Sequence, residues 1–132
     1  MSLSNARKSL EIVTRDFASA NRLRVAYENV QFDGKGEYLE CFLLPIDPHL
    51  IALQTQQSQA IFQVNFYLNQ NESAQKADRL VRDFIKQFKV GDRVGNSVIY
   101  KPAARSQGFK QDGKYMIAVS IYFQYEESIC QQ

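Results

Sequence analysis

Side-chain chemistry near neutral pH begins with histidine, and this sequence has one, His49. It stands between Pro48 and Leu50 with no Cys, Asp or Glu at ligand spacing except Asp47, whose side chain is expected to point elsewhere. His49 therefore reads as a loop residue, neither metal ligand nor general base. Cys41 falls inside an apolar strand pattern, where a thiol behaves as a small buried hydrophobe, and Cys130 lies in a tail-like segment. Neither suggests a nucleophilic thiol, and the two are expected to stay unbridged. Gly34-Lys35-Gly36 lacks the flanking strand, the spacing and the Lys-Ser/Thr ending of a phosphate loop and reads as a turn. Glu126 and Glu127 are adjacent, but a working carboxylate pair is defined by separation in space, which spacing along the chain does not supply.

The cationic residues Arg22, Arg24, Lys101, Arg105, Lys110 and Lys114 are dispersed and interrupted by acids. The Tyr and Phe residues fall at strand periods that a core explains without stacked bases. Sixteen Lys and Arg against fourteen Asp and Glu give a net charge of +2, too weak a balance to select nucleic acid or an anionic membrane as the main partner. At 132 residues and 15.2 kDa, with 45% hydrophobic, 12% aromatic and 23% charged residues, the chain suits one domain. Folding at this size buries roughly two-thirds of the surface of the unfolded chain, enough for a core without disulfide or metal staples. The opening residues MSLSNARKSLEIV lack the run of roughly 7–15 apolar residues of a signal peptide. No stretch reaches the ~18 consecutive apolar residues of a membrane span. A soluble protein in a reducing, intracellular compartment is expected, with no cofactor and no metal. By elimination the residues favour binding or assembly over catalysis.

The elements that must position these residues follow from periodicity. Residues 4 to about 19 place Ala6, Leu10, Val13 and Phe17 on the apolar stripe of a helix, with Ser4 or Asn5 as its cap. Asn21 breaks that pattern, and residues 23–27 alternate with period two, as a half-buried strand does. After the turn at 33–36, residues 38–44 are apolar apart from Glu40, which suggests a central strand covered on much of both faces and ended by Pro45. Residues 46–58 form a long excursion in which Ile46, Leu50, Ile51 and Leu53 are apolar for a solvated loop; they fold back under the core or meet a partner chain.

From residue 60 to 69, Phe62, Val64, Phe66 and Leu68 alternate with polar neighbours in the clearest strand so far. Asn71-Glu72-Ser73 then caps a second helix carrying Ala77, Leu80, Val81, Phe84, Ile85 and Phe88, with charges of both signs on its other face. Gly91-Asp92-Arg93 turns the chain into a short strand over residues 94–101, stopped at Pro102. Asp112-Gly113 marks a two-residue hairpin turn before a long strand over residues 115–125. Its partner, residues 103–110, is polar and contains Gly108, so it projects beyond the sheet or lies at an edge. The whole is an α+β domain: a mostly antiparallel sheet with two helices on one face and a long C-terminal β-hairpin. Its expected core comprises Val13, Phe17, Leu43, Phe62, Val64, Phe66, Leu80, Phe84, Val119 and Ile121.

This arrangement resembles the small phage tail terminator proteins over most of its length. The resemblance is carried by an N-terminal amphipathic helix leading into LRVAYENVQFDGKGEYLECFLLP, by QQSQAIFQVNFYLNQNESAQKADRLVRDFIKQF, by the strand ending IYKP and by the hairpin QDGKYMIAVSIYFQYE. Such a resemblance implies a non-enzymatic virion or prophage protein, assembled in the cytoplasm and resident in the virion tail. It implies a homo-oligomeric ring, commonly of six subunits, that caps the tail tube, ends its polymerisation and offers a surface to the head–tail connector protein. The partners it implies are further copies of the chain, the tail tube protein and the connector, with no membrane. A closed ring needs two unlike patches that meet between neighbours. The chain offers Ile46, Leu50, Ile51 and Leu53 of the excursion, and Arg105, Phe109 and Lys110 of the polar hairpin. Two other readings stand beside it: a different head–tail joining or minor tail protein, separable by neighbouring genes, and a small ligand-binding domain or enzyme, which a pocket holding His49 with a carboxylate would favour.

Overall fold

The computed structural model describes residues 2–46 and 57–126. Helix α1 spans Ser2–Ala20, and its stripe buries Ala6, Leu10, Thr14, Phe17 and Ala18. The Thr14 hydroxyl donates to the Leu10 carbonyl at 3.0 Å, so a polar residue on that stripe enters the core with its hydrogen bond made. The helix stops in a Schellman arrangement: the Leu23 N–H donates to the Ala18 carbonyl at 2.8 Å and the Arg22 N–H to that of Ser19 at 3.3 Å. Arg22 adopts the left-handed conformation, φ +60°, that such an ending requires.

Strand β1 (Arg24–Ala26) follows, then β2 (Tyr38–Pro45) and β3 (Gln57–Asn69). Ser73 caps α2 (Ala74–Ile85), its Oγ accepting from the Gln75 N–H at 3.1 Å. The chain closes with β4 (Arg93–Val94), β5 (Ser97–Arg105), β6 (Phe109–Gln111) and β7 (Lys114–Glu126). Strand order is β1-β2-β3-β7-β5-β4, with β6 paired to β7 beside β5. Among the described residues only β1 with β2 is a parallel pair. The spine is the antiparallel ladder of β3 with β7, which runs from Gln57 opposite Glu126 to Asn69 opposite Lys114.

The register puts Leu39, Cys41 and Leu43 in rows with Phe66, Val64 and Phe62, and these with Ile117, Val119 and Ile121. All nine are buried, and both helices cover that face. Phe84 of α2 meets Phe17 of α1 at 5.1 Å between ring centroids and Phe66 of β3 at 5.4 Å, both edge to face. The expected α+β architecture is thus the observed one. Eight of the ten expected core residues are buried; Val13 and Leu80, at the margins of their helical stripes, are half-buried against the rim.

Several expectations are corrected. The β2 strand is fully buried on one face only, because among the described residues no helix covers the side that carries Tyr38, Glu40 and Phe42. Residues 94–101 are not a single strand: β4 turns through Gly95 and Asn96 into β5. The tightness of that turn against α1 calls for glycine, since a Cβ on Gly95 would lie 2.1 Å from the Ser9 Oγ. Nor does Pro102 stop β5, because it falls in the irregularity between Lys101 and Ala104, where pairing with β7 slips and a missing N–H breaks no ladder bond. Of the two places expected for residues 103–110, the edge is the one observed: Ala103–Arg105 belong to β5 and Phe109–Gln111 form β6, an edge strand alongside β7. The Asp112-Gly113 turn is as read, with φ of +49° and +80° and Gln111 opposite Lys114.

Candidate assembly surfaces

The first open edge runs along β1, β2 and the turn after β1. Here β2 outlasts its partner, since β1 pairs only with Tyr38–Glu40. Beyond that point the Leu43 N–H is taken by a side chain, donating to Glu28 Oε1 at 3.0 Å, and the same oxygen accepts from Arg7 Nη1 at 2.8 Å. Glu28 thus clasps α1 to the sheet edge, and these two bonds hold its carboxyl below the usual range. Arg7 also lies 3.9 Å from Glu11. Burial raises the Glu11 carboxyl above its ordinary value, against the pull of Arg7 and with a push from Glu28.

Between α1 and this turn lies an open groove of about 1050 Å³, walled by Glu11, Ile12 and Arg15 on one side and by Tyr27, Glu28 and Val30 on the other. Ile12 is 37% exposed and Val30 61%. The sequence carried one sign of this surface: Ile12 is an apolar residue off the buried stripe of α1. Glu28 and Val30 gave none, because their partners come from elsewhere in the chain.

On the opposite side the sheet ends in β4, beside β5, and in β6, beside β7. Phe109, Lys110 and Gln111 are all exposed, Phe109 to 43%. Lys110 and Asp112 make no ion pair or side-chain hydrogen bond among the described residues. Arg105 differs from both, because its Nη1 donates to Asp78 of α2 at 2.9 Å, which ties the end of β5 to the helix layer. Ile46, at the end of β2, is half-buried with its N–H donating to the Gln59 carbonyl at 3.0 Å. Leu50, Ile51 and Leu53, and with them His49 and Cys130, lie outside the described residues. Of the proposed contact residues, then, Phe109 and Lys110 stand together on the β6 edge, and Arg105, also exposed, is engaged by Asp78 of α2.

The sheet face away from the helices carries the remaining aromatic and cationic groups, largely satisfied by one another. Tyr38 stacks on Tyr67 at 4.8 Å, Arg24 lies 4.5 Å over Phe32, and Lys101 lies 4.3 Å over Tyr122. Arg24 also donates to Asp33 at 2.9 Å, and Lys114 donates to the Gly36 carbonyl. Tyr67 donates to Glu40 at 3.0 Å, and burial with that bond pushes its hydroxyl up to about 12. Cys41 is fully buried and its thiol is pushed up to about 12, chiefly by desolvation, so it is a poor nucleophile. Among the described residues no three His, Cys, Asp or Glu side chains gather as metal ligands, and no helix is long and apolar enough to cross a membrane.

A sheet-and-helix domain with two unlike open edges has the form of a protein that works through its surfaces. Residues 6–123 match the model of the family described as phage tail terminator protein, and the chain belongs to that family. It is accordingly a component of phage tail or head–tail assembly. One solved structure, 21% identical, superposes with a TM-score of 0.75 over 96% of this chain and 97% of its own, a likeness of fold. No curated protein matches the chain.

Proposed function

We propose that the protein closes into a hexameric ring that caps the tail tube, ends its polymerisation and presents a joining surface to the head–tail connector. It acts as a structural part and not as an enzyme, assembling in the host cytoplasm and remaining in the virion tail. The observation that carries this reading, beside family membership, is that the two open edges of the sheet differ. A ring is built from heterologous contacts, in which one patch meets a different patch on the next subunit. The β6 edge with Phe109 and Lys110 supplies one patch. The other is the β2 edge, continued by Ile46 into the excursion with Leu50, Ile51 and Leu53.

Replacing Leu50 and Ile51 together with Asp would bury uncompensated charge in that contact. The double variant is expected to keep its unfolding midpoint, lose concentration-dependent association in sedimentation and yield overlong or headless tails in complementation. A folded variant that yields tails of normal length joined to heads would remove the excursion from the interface.

A further inference from the structure

We propose that the β6 edge of one subunit seats in the α1 groove of the next, with the Phe109 ring between Ile12 and Val30 and Lys110 against Glu11. The occupant is a second copy of this chain, and the inference rests on the ring reading above. Position is the first argument. From β2 the sheet runs through β3 and β7 to β6, three strand spacings or roughly 14 Å, so knob and groove lie on opposite edges of one subunit. That is the disposition a head-to-tail contact needs, and it prevents a subunit from filling its own groove. Phe109 is level with Tyr38 across the sheet, whereas Glu28 reaches Leu43, so the two patches are also offset along the strands. Strands in the ring must then run inclined to its axis.

Shape and charge are the second argument. A volume of about 1050 Å³ exceeds one aromatic side chain and fits a strand edge with its flanking residues. Exposed apolar side chains, Ile12 and Val30, stand on the two walls where a ring would enter. Glu11 has only a 3.9 Å contact with Arg7, whose 2.8 Å bond goes to Glu28, so Glu11 is the carboxylate with acceptor capacity left. Lys8, unpaired among the described residues, lies one turn from it on the groove wall, and Asp112 beyond β6 offers it the opposite charge. A small-molecule occupant is disfavoured because two of the charged groups on the groove walls, Arg7 and Glu28, already satisfy each other.

A charge exchange tests this. Glu11→Lys and Lys110→Glu should each weaken self-association in sedimentation equilibrium by roughly tenfold, and the double variant should recover most of that loss. Phe109→Asp should abolish association with the unfolding midpoint unchanged, since Phe109 is outside the core. If the wild-type protein associates but the single variants do so equally well, or the double variant is no better than either, the groove assignment is overturned and the ring survives with another interface. If the wild-type protein stays monomeric up to millimolar concentration, both the groove assignment and the ring reading fall.

Discussion

Phe84 has the most to lose at the scale of single residues. It is fully buried where the rings of Phe17, Phe66 and Phe88 converge, so truncation removes a large apolar side chain and leaves a cavity that three other rings cannot close. Phe84→Ala is expected to cost ~3–5 kcal/mol, read as a lower denaturant midpoint; a negligible change would show that the ring cluster is not the centre of the core. Cys41 makes a pH-dependent prediction. Its thiol titrates near the ordinary 9.0 in the unfolded chain but at about 12 when folded, so the folded state keeps a proton that the unfolded state releases. Its contribution is fully present below about pH 9 and lost as pH rises towards 12, by roughly 1.4 kcal/mol per pH unit at most. Cys41→Ala should flatten that alkaline slope in pH-dependent unfolding, leaving what other groups such as Tyr67 contribute. Both roles were legible in the sequence, because Phe84 sits mid-stripe on α2 and Cys41 alternates into the apolar face of β2. The groove residues were not, because Glu28 acquires its meaning from Arg7 and Leu43, on two other elements.

Among the elements, the end of α1 stands out. Arg22 occupies the left-handed position of the Schellman ending, where a side chain is disfavoured and glycine is the usual residue. Arg22→Gly is therefore expected to stabilise the protein by about 1 kcal/mol, observed as a higher melting temperature; a loss of stability would mean that the arginine side chain has an important partner. Long elements with a clean period were readable in advance: α2, β3 and β7 each repeat their pattern over many residues. Of the short ones, β1 was read from the alternation of residues 23–27, but its place at the sheet edge was not, and two-residue β4 carries too little pattern to be seen at all; it is a strand only because β5 lies beside it. Pro102 misled for a specific reason: its missing N–H is a stop signal in a regular ladder, and β5 evades it with an irregularity that only the pairing with β7 reveals.

For the whole molecule, the α+β class followed from the order of elements, but strand order did not. Placing β7 between β3 and β5 creates the long spine and leaves β1 and β2 at one edge and β6 towards the other. That division of the edges gives a small core-bearing domain two different sides. In the proposed ring, assembly is then a matter of which edge meets which. The most direct measurement of the central claim is tail length, by negative-stain electron microscopy of particles made when the gene for this protein is deleted from its phage. Overlong tails without heads are expected, restored to normal by the wild-type chain supplied in trans. Tails of normal length joined to heads in the deletion would contradict that claim.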